Sequence, residues 1–178
     1  MIRRLAIGLA ATLGLSACGA AKPPATTEVT GPDAIAVGRY IVLTGGCNDC
    51  HTPGYAPSGG KTPGEAQWLT GNPVGYRGPW GVTYASNLRL TVQAMSKDQF
   101  VAMLGARQGL PPMPWPSVHA MTPANKAALY DYIKSLGPGG GPAPANVPPG
   151  QEPTTPYENM MPFGPDGKPL PPPPGAPH

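Results

Sequence analysis

Proline and glycine decide where this chain can be regular. There are 28 prolines and 25 glycines among 178 residues, and 15 of the prolines and 8 of the glycines lie in the last 42 positions. Proline lacks a backbone N–H and glycine is entropically costly to fix, so neither a helix nor a sheet interior can be written there. The stretch closes on Leu170-Pro171-Pro172-Pro173-Pro174, a polyproline II or disordered composition, and residues 137–178 are expected to form a Pro/Gly-rich disordered tail. Regular structure is thereby confined to residues 33–136, which hold most of the aromatic and aliphatic side chains. With 2 Phe, 3 Trp and 7 Tyr in the whole chain, that window closes one small core. No apolar run reaches the roughly 18 residues of a spanning helix, which excludes a polytopic membrane protein. The formal charge of +3 is small and scattered, so a nucleic-acid partner is not expected.

The first residues read as an address. Arg3 and Arg4 make a positive start, Leu5 to Leu15 an apolar run, and Leu15-Ser16-Ala17-Cys18 places small residues before a cysteine. Residues 1–17 are expected to be a lipoprotein signal peptide, because these four residues resemble the lipobox of bacterial lipoproteins. That resemblance implies an acylated Cys18 at the start of the mature chain, with several acyl chains giving stable anchoring on a membrane. Residues 18–32 would be anchor and flexible tether, since their Pro, Thr, Ala and Gly cannot bury enough apolar area to order themselves. Without Arg3 and Arg4 the 12 basic residues fall to 10 against 9 acidic, so charge says little about partners.

Three helices are expected from their ends. Asp33 can cap one that carries Val37, Tyr40, Ile41 and Leu43 and stops at Gly45-Gly46. Ser96 and Gln99 have the spacing of a capping box before Phe100, Met103 and Leu104, with Gly109 as the stop. Thr122 before Pro123 opens a third, whose Leu129, Tyr132, Ile133 and Leu136 form a stripe ending at Gly137. The Gly/Pro-rich stretch from Thr52 to Leu90 between the first two is too long for a plain loop in a compact domain. It carries Trp68, Tyr76, Trp80 and Tyr84, as if these packed on something other than protein.

Cys47-Asn48-Asp49-Cys50-His51 is CxxCH, the spacing by which two thiols add to the vinyl groups of haem while the adjacent histidine ligates iron. Thioether formation also consumes both thiols of an exported chain. A thioredoxin-like dithiol would want a βαβ pattern, which is absent, and a zinc site would need further ligands, with only His119 and His178 left as histidines. One covalently bound haem c is the expected cofactor. The second axial ligand has several candidates: Met95, Met103, Met113, Met121, His119, Met160 and Met161. Met95 and Met103 belong to a helix and its start, and Met160 and Met161 to the tail. Met113, in Pro111-Pro112-Met113-Pro114-Trp115-Pro116, has prolines on both sides to hold an extended course, with Trp115 beside it and Met121 as the best substitute.

CxxCH after an N-terminal helix, a Pro-flanked Met some sixty residues later and an aromatic C-terminal helix together resemble a class I cytochrome c, over about Asp33 to Leu136. Gly81-Val82-Thr83-Tyr84-Ala85-Ser86-Asn87-Leu88, Pro112-Met113-Pro114-Trp115-Pro116 and Leu129-Tyr130-Asp131-Tyr132-Ile133-Lys134-Ser135-Leu136 are similar to haem domains in cytochrome subunits of bacterial membrane-bound alcohol dehydrogenases. Those subunits usually carry several haem domains, whereas this chain has one CxxCH. The resemblance implies an all-α fold in which the first and last helices cross near Gly38 and Tyr132. It also implies His51 and Met113 as the axial pair.

His/Met ligation fills both axial positions and suits electron transfer over catalysis. A backbone carbonyl on His51 is expected from Pro79 or Pro63, and Arg77, Arg89, Tyr84 and Asn87 are candidate partners of the haem propionates. The function expected is that of a lipid-anchored electron carrier, not an enzyme, on the periplasmic side of a bacterial cell envelope. Its partners would be redox proteins: a dehydrogenase or quinol-oxidising complex as donor, an oxidase or another cytochrome as acceptor. The alternative from another class is a haem-based gas or oxidant sensor, or an oxidant-reactive enzyme, whose Met ligand is displaced. A tail that docks an aromatic groove on a partner is a third idea, from composition alone.

Overall fold

The computed structural model describes residues 28–171. The expected signal peptide over 1–17, the expected acylation site at Cys18, most of the expected tether and the last prolines lie outside the described residues. No described helix is long and apolar enough to cross a membrane.

Helix α1 (Ala34–Thr44) starts where Asp33 Oδ1 accepts the Ala36 N–H at 2.7 Å. It buries Val37, Gly38, Ile41 and Val42 against α6 (Pro123–Ser135), which begins at Thr122 with Pro123 in its first turn. The contact depends on Gly38: a Cβ added there would fall 2.5 Å from the Cβ of Tyr132 and closer still to the Ala128 carbonyl oxygen. The crossing of first and last helices expected at Gly38 and Tyr132 is therefore present. Helix α4 (Lys97–Ala106) has the full capping box, with Ser96 N donating to Gln99 Oε1 at 2.8 Å and Gln99 N to Ser96 Oγ at 3.2 Å. Phe100 and Leu104 turn inward, and Phe100 meets Tyr130 of α6 at 5.6 Å between ring centroids.

Between these helices lie elements the sequence reading did not place. The motif itself forms α2 (Cys47–His51), α3 spans Leu88–Gln93, and α5 spans Trp115–Ala120 directly after Met113. Strands β1 (Gly75–Gly78) and β2 (Gly81–Tyr84) make an antiparallel hairpin turned by Pro79 and Trp80. A third strand, β3 (Tyr157–Asn159), pairs parallel with β1, giving the order β2-β1-β3. The expected all-α fold is thus corrected to a mixed one, about 40 % helical with a small three-stranded sheet.

The tail expected to be disordered is corrected as well over the described residues 137–171. It runs along the hairpin, exchanging backbone hydrogen bonds between Val82 and Val147 at 2.8 and 2.9 Å before entering β3. Arg77 holds Glu152 through a two-pronged ion pair at 2.7 Å, and the Tyr84 hydroxyl meets Thr155 Oγ1 at 2.7 Å. Its proline content fits because much of the segment is held by contacts that need no N–H of its own.

The stretch Thr52 to Leu90 makes its own core contacts. Trp68 is buried edge-on to Tyr55 at 5.6 Å, donates from Nε1 to the Pro63 carbonyl at 3.0 Å, and is covered by the Arg39 guanidinium. Glu65 accepts from both Arg39 of α1 and the Tyr132 hydroxyl of α6, tying this stretch to the helix pair.

Candidate functional site

Helix α2 puts Cys47, Cys50 and His51 at i, i+3 and i+4, so the three side chains share one flank of a single turn. Both cysteines are half-buried, and neither is in a disulfide. Burial pushes the Cys47 thiol up to about 11, with the Asp49 and Cys50 charges adding to it and a backbone hydrogen bond opposing. A redox-active dithiol needs an accessible thiolate, which burial opposes at Cys47. Nor do Cys47, Cys50 and His51, or any other three His, Cys, Asp or Glu side chains among the described residues, converge as a metal centre made of side chains alone would require.

His51 is 6 % exposed, and burial lowers its pKa against the opposing pull of the Ser86 carbonyl. The imidazole is therefore neutral, the form that binds a metal. Its Nδ1 lies 2.7 Å from the Ser86 carbonyl oxygen. With Nδ1–H donating there, Nε2 is the ring nitrogen whose lone pair is left free. This carbonyl corrects the expectation of Pro79 or Pro63: Pro63 accepts from Trp68 instead, and Pro79 sits in the hairpin turn.

The backbone around His51 is locked from a second direction. Thr52, fully buried, donates from Oγ1 to Asn48 Oδ1 at 2.8 Å and accepts the Leu69 N–H at 2.8 Å, while Gly71 N–H donates to the His51 carbonyl at 2.9 Å. Sequence reasoning passed over this lock, although Thr next to the motif was a visible sign of it. Tyr76, on β1, lies beside Cys50; burial first, and then that thiol, hold its phenol above the usual range.

Met113 is half-buried against the main apolar cluster, as are Met95, Met103, Met121 and Cys47. Packing alone does not single it out. Its loop is distinguished by an anchor: Thr83 Oγ1 on β2 donates to the Pro111 carbonyl at 2.6 Å, and Trp115 N–H donates to the Met113 carbonyl at 2.9 Å. The strand that leads into Ser86 thus also pins the loop of Met113. His119 is engaged elsewhere, its Nε2 hydrogen-bonded to the Arg107 carbonyl at 2.9 Å, and Met160 is exposed just past β3, its N–H on the Arg77 carbonyl. Met161 follows it on the same segment.

The four side chains read as propionate partners are corrected together, because each is committed to the C-terminal segment or its approach. Arg77 and Tyr84 hold Glu152 and Thr155. Asn87 caps α3 and donates to the Gly139 and Gly141 carbonyls. Arg89, 5 % exposed, donates to the carbonyls of Ala66, Leu136, Gly137 and Pro138, where the C-terminal end of α6 offsets its charge.

The residues present fit a covalently held haem. Two thiols without a disulfide and a neutral, oriented imidazole are its donor set, and two buried N–H donors, Asn48 Nδ2 and Trp115 Nε1, have no partner among the described protein atoms. Buried donors of this kind are few in folded proteins and call for an acceptor. Comparisons with protein-family models, with curated proteins and with solved structures returned no match.

Proposed function

We propose that the chain is a monohaem c-type cytochrome of the class I kind, an electron carrier and not an enzyme. Held to a membrane of the cell envelope through acylated Cys18, it would exchange single electrons with redox proteins. The observation that carries this reading is the commitment of His51 Nδ1 to the Ser86 carbonyl, directly after two cysteines that share no disulfide.

The haem would supply a one-electron couple. Cys47 and Cys50 would hold it through thioethers, and burial at Cys47 favours uncharged sulfur. His51 presents one ring nitrogen in a fixed direction because the other is held, and the Thr52 hydroxyl and the Gly71 N–H keep the helical turn from rotating. Met113 is the proposed second ligand, kept in place by the Thr83 anchor on Pro111. If His51 and Met113 both hold the iron, no position would be left for a small ligand, which favours the carrier over the sensor reading.

The test uses the exported protein made with the haem-attachment machinery present. Haem is expected to stay with the chain after denaturation, and the dithionite-reduced protein to give no carbon monoxide difference spectrum. Met113→Ala is expected to bind carbon monoxide readily, and Met121→Ala not to. A chain without covalent haem overturns the reading; ready binding by the unaltered protein moves it to a sensor.

A further inference from the structure

The segment after α6 grips the chain at the residue next to the partner of His51. Asn87 donates from Nδ2 to the carbonyls of Gly139 at 2.7 Å and Gly141 at 3.0 Å, while its Oδ1 accepts the Leu90 N–H at 3.0 Å. Its side chain is buried, at 4 % exposure. The approach is so close that side chains are excluded: a Cβ at Gly140 would lie 3.0 Å from the Thr70 Cβ and 3.2 Å from Asn87 Nδ2, and its φ of 66° already favours glycine. On the other side of Ser86, Val147 pairs with Val82, and the Tyr84 N–H donates to Asn146 Oδ1 at 3.2 Å. Residues 82–89 are therefore held at both ends by residues 137–147, with the Ser86 carbonyl in the middle.

We infer that residues 137–147 are a strap that positions the Ser86 carbonyl on His51, so that this C-terminal segment sets the electron-donating strength of the proposed iron ligand. The inference rests on the haem reading of His51. A strong Nδ1–H···O bond raises the basicity of a metal-bound imidazole and stabilises the oxidised metal. Loosening the strap lets Ser86 drift, weakens that bond and favours the reduced state. Asn87 is then a positioning residue: it touches neither His51 nor the cofactor, and acts through the carbonyl beside it.

Two substitutions in the full, haem-loaded chain test this from opposite sides of the contact. Asn87→Ser keeps a side-chain oxygen to cap α3 but withdraws both donors from the strap. Gly140→Val leaves Asn87 in place and pushes the strap off it. In each, solvent exchange of the His51 Nδ1 proton, followed by NMR in the reduced state, is expected to speed up by about tenfold, with a rise in reduction potential. Unchanged exchange and potential in both variants would overturn the strap. So would a response to only one of the two, since both substitutions break the same contact. An unaltered chain without covalent haem would instead show that the haem reading underneath had failed.

Discussion

His51 and Ser86, 35 positions apart, meet through a 2.7 Å contact between imidazole Nδ1 and a backbone carbonyl. Three residues earlier on the same run, Thr83 holds the Pro111 carbonyl at 2.6 Å, two residues before Met113. One short strand and its exit thus govern both of the side chains proposed to reach iron. The two ligands would then not be independent: a change in β2 is felt at each.

Thr83→Val tests that link, because it keeps the shape of a buried side chain while removing its hydroxyl. Losing one such hydrogen bond costs about 1–2 kcal/mol of stability. The larger effect is expected at Met113, whose loop loses its anchor. The reduced variant should bind carbon monoxide partially and reversibly, between the unaltered protein and Met113→Ala. A spectrum indistinguishable from the unaltered protein would mean that Trp115 and the flanking prolines hold Met113 unaided.

Gly38→Ala addresses the frame that carries the site. The added methyl group has no space between Ala128 and Tyr132, and the obstruction on the Ala128 side is backbone that cannot swing away. Helices α1 and α6 must separate, at a cost of about 2–3 kcal/mol for overpacking a close contact. Denaturant unfolding of the haem-loaded variant should show the drop in midpoint, with an unchanged slope if the folded state remains compact. Since α2 follows α1 after only Gly45 and Gly46, the α1 shift is also expected to loosen haem attachment during assembly.

What could be read in the sequence is whatever is encoded locally. Asp33, Ser96 with Gln99, and Thr122 with Pro123 announce three helices because each cap is satisfied within a few residues of itself. CxxCH is legible for the same reason. Helices α3 and α5, six residues each, are too short for a periodic signal and are held by what surrounds them. The sheet was hidden by distance: the Arg77 side chain reaches Tyr157 across 80 positions, and β3 has no apolar alternation of its own. Gly139 to Gly141 misled most. Two of these glycines, which composition marks as loose, sit where the backbone comes close to other residues: a Cβ at Gly139 would meet the Arg89 guanidinium, and one at Gly140 would meet Thr70 and Asn87. The same mistake assigned Arg77, Tyr84, Asn87 and Arg89 to the cofactor, since a polar residue near a haem motif looks available until the segment that occupies it is seen.

The pairing of Arg77 with Glu152 gives the outer part of the C-terminal segment a pH dependence. Hydrogen bonds from the Arg77 guanidinium, and then its charge, hold the Glu152 carboxyl below its ordinary value of 4.5. A carboxyl lowered in the folded state contributes its stabilisation fully above its unfolded pKa and loses it as pH falls through the folded one. The attachment of residues 150–160 should therefore be unaffected at neutral pH and weaken below about 4.5, as Glu152 becomes protonated. The pair is exposed, so global stability should change little, and the effect belongs to local opening. Amide exchange at Met160, whose N–H is on the Arg77 carbonyl, reports it. After correction for the intrinsic exchange rate, its protection should fall with acid in the unaltered chain. In Glu152→Gln it should be lower at neutral pH and flat across the same range. A pH response that survives Glu152→Gln would assign the acid sensitivity to Glu158 or Asp166, the other carboxyls of this segment.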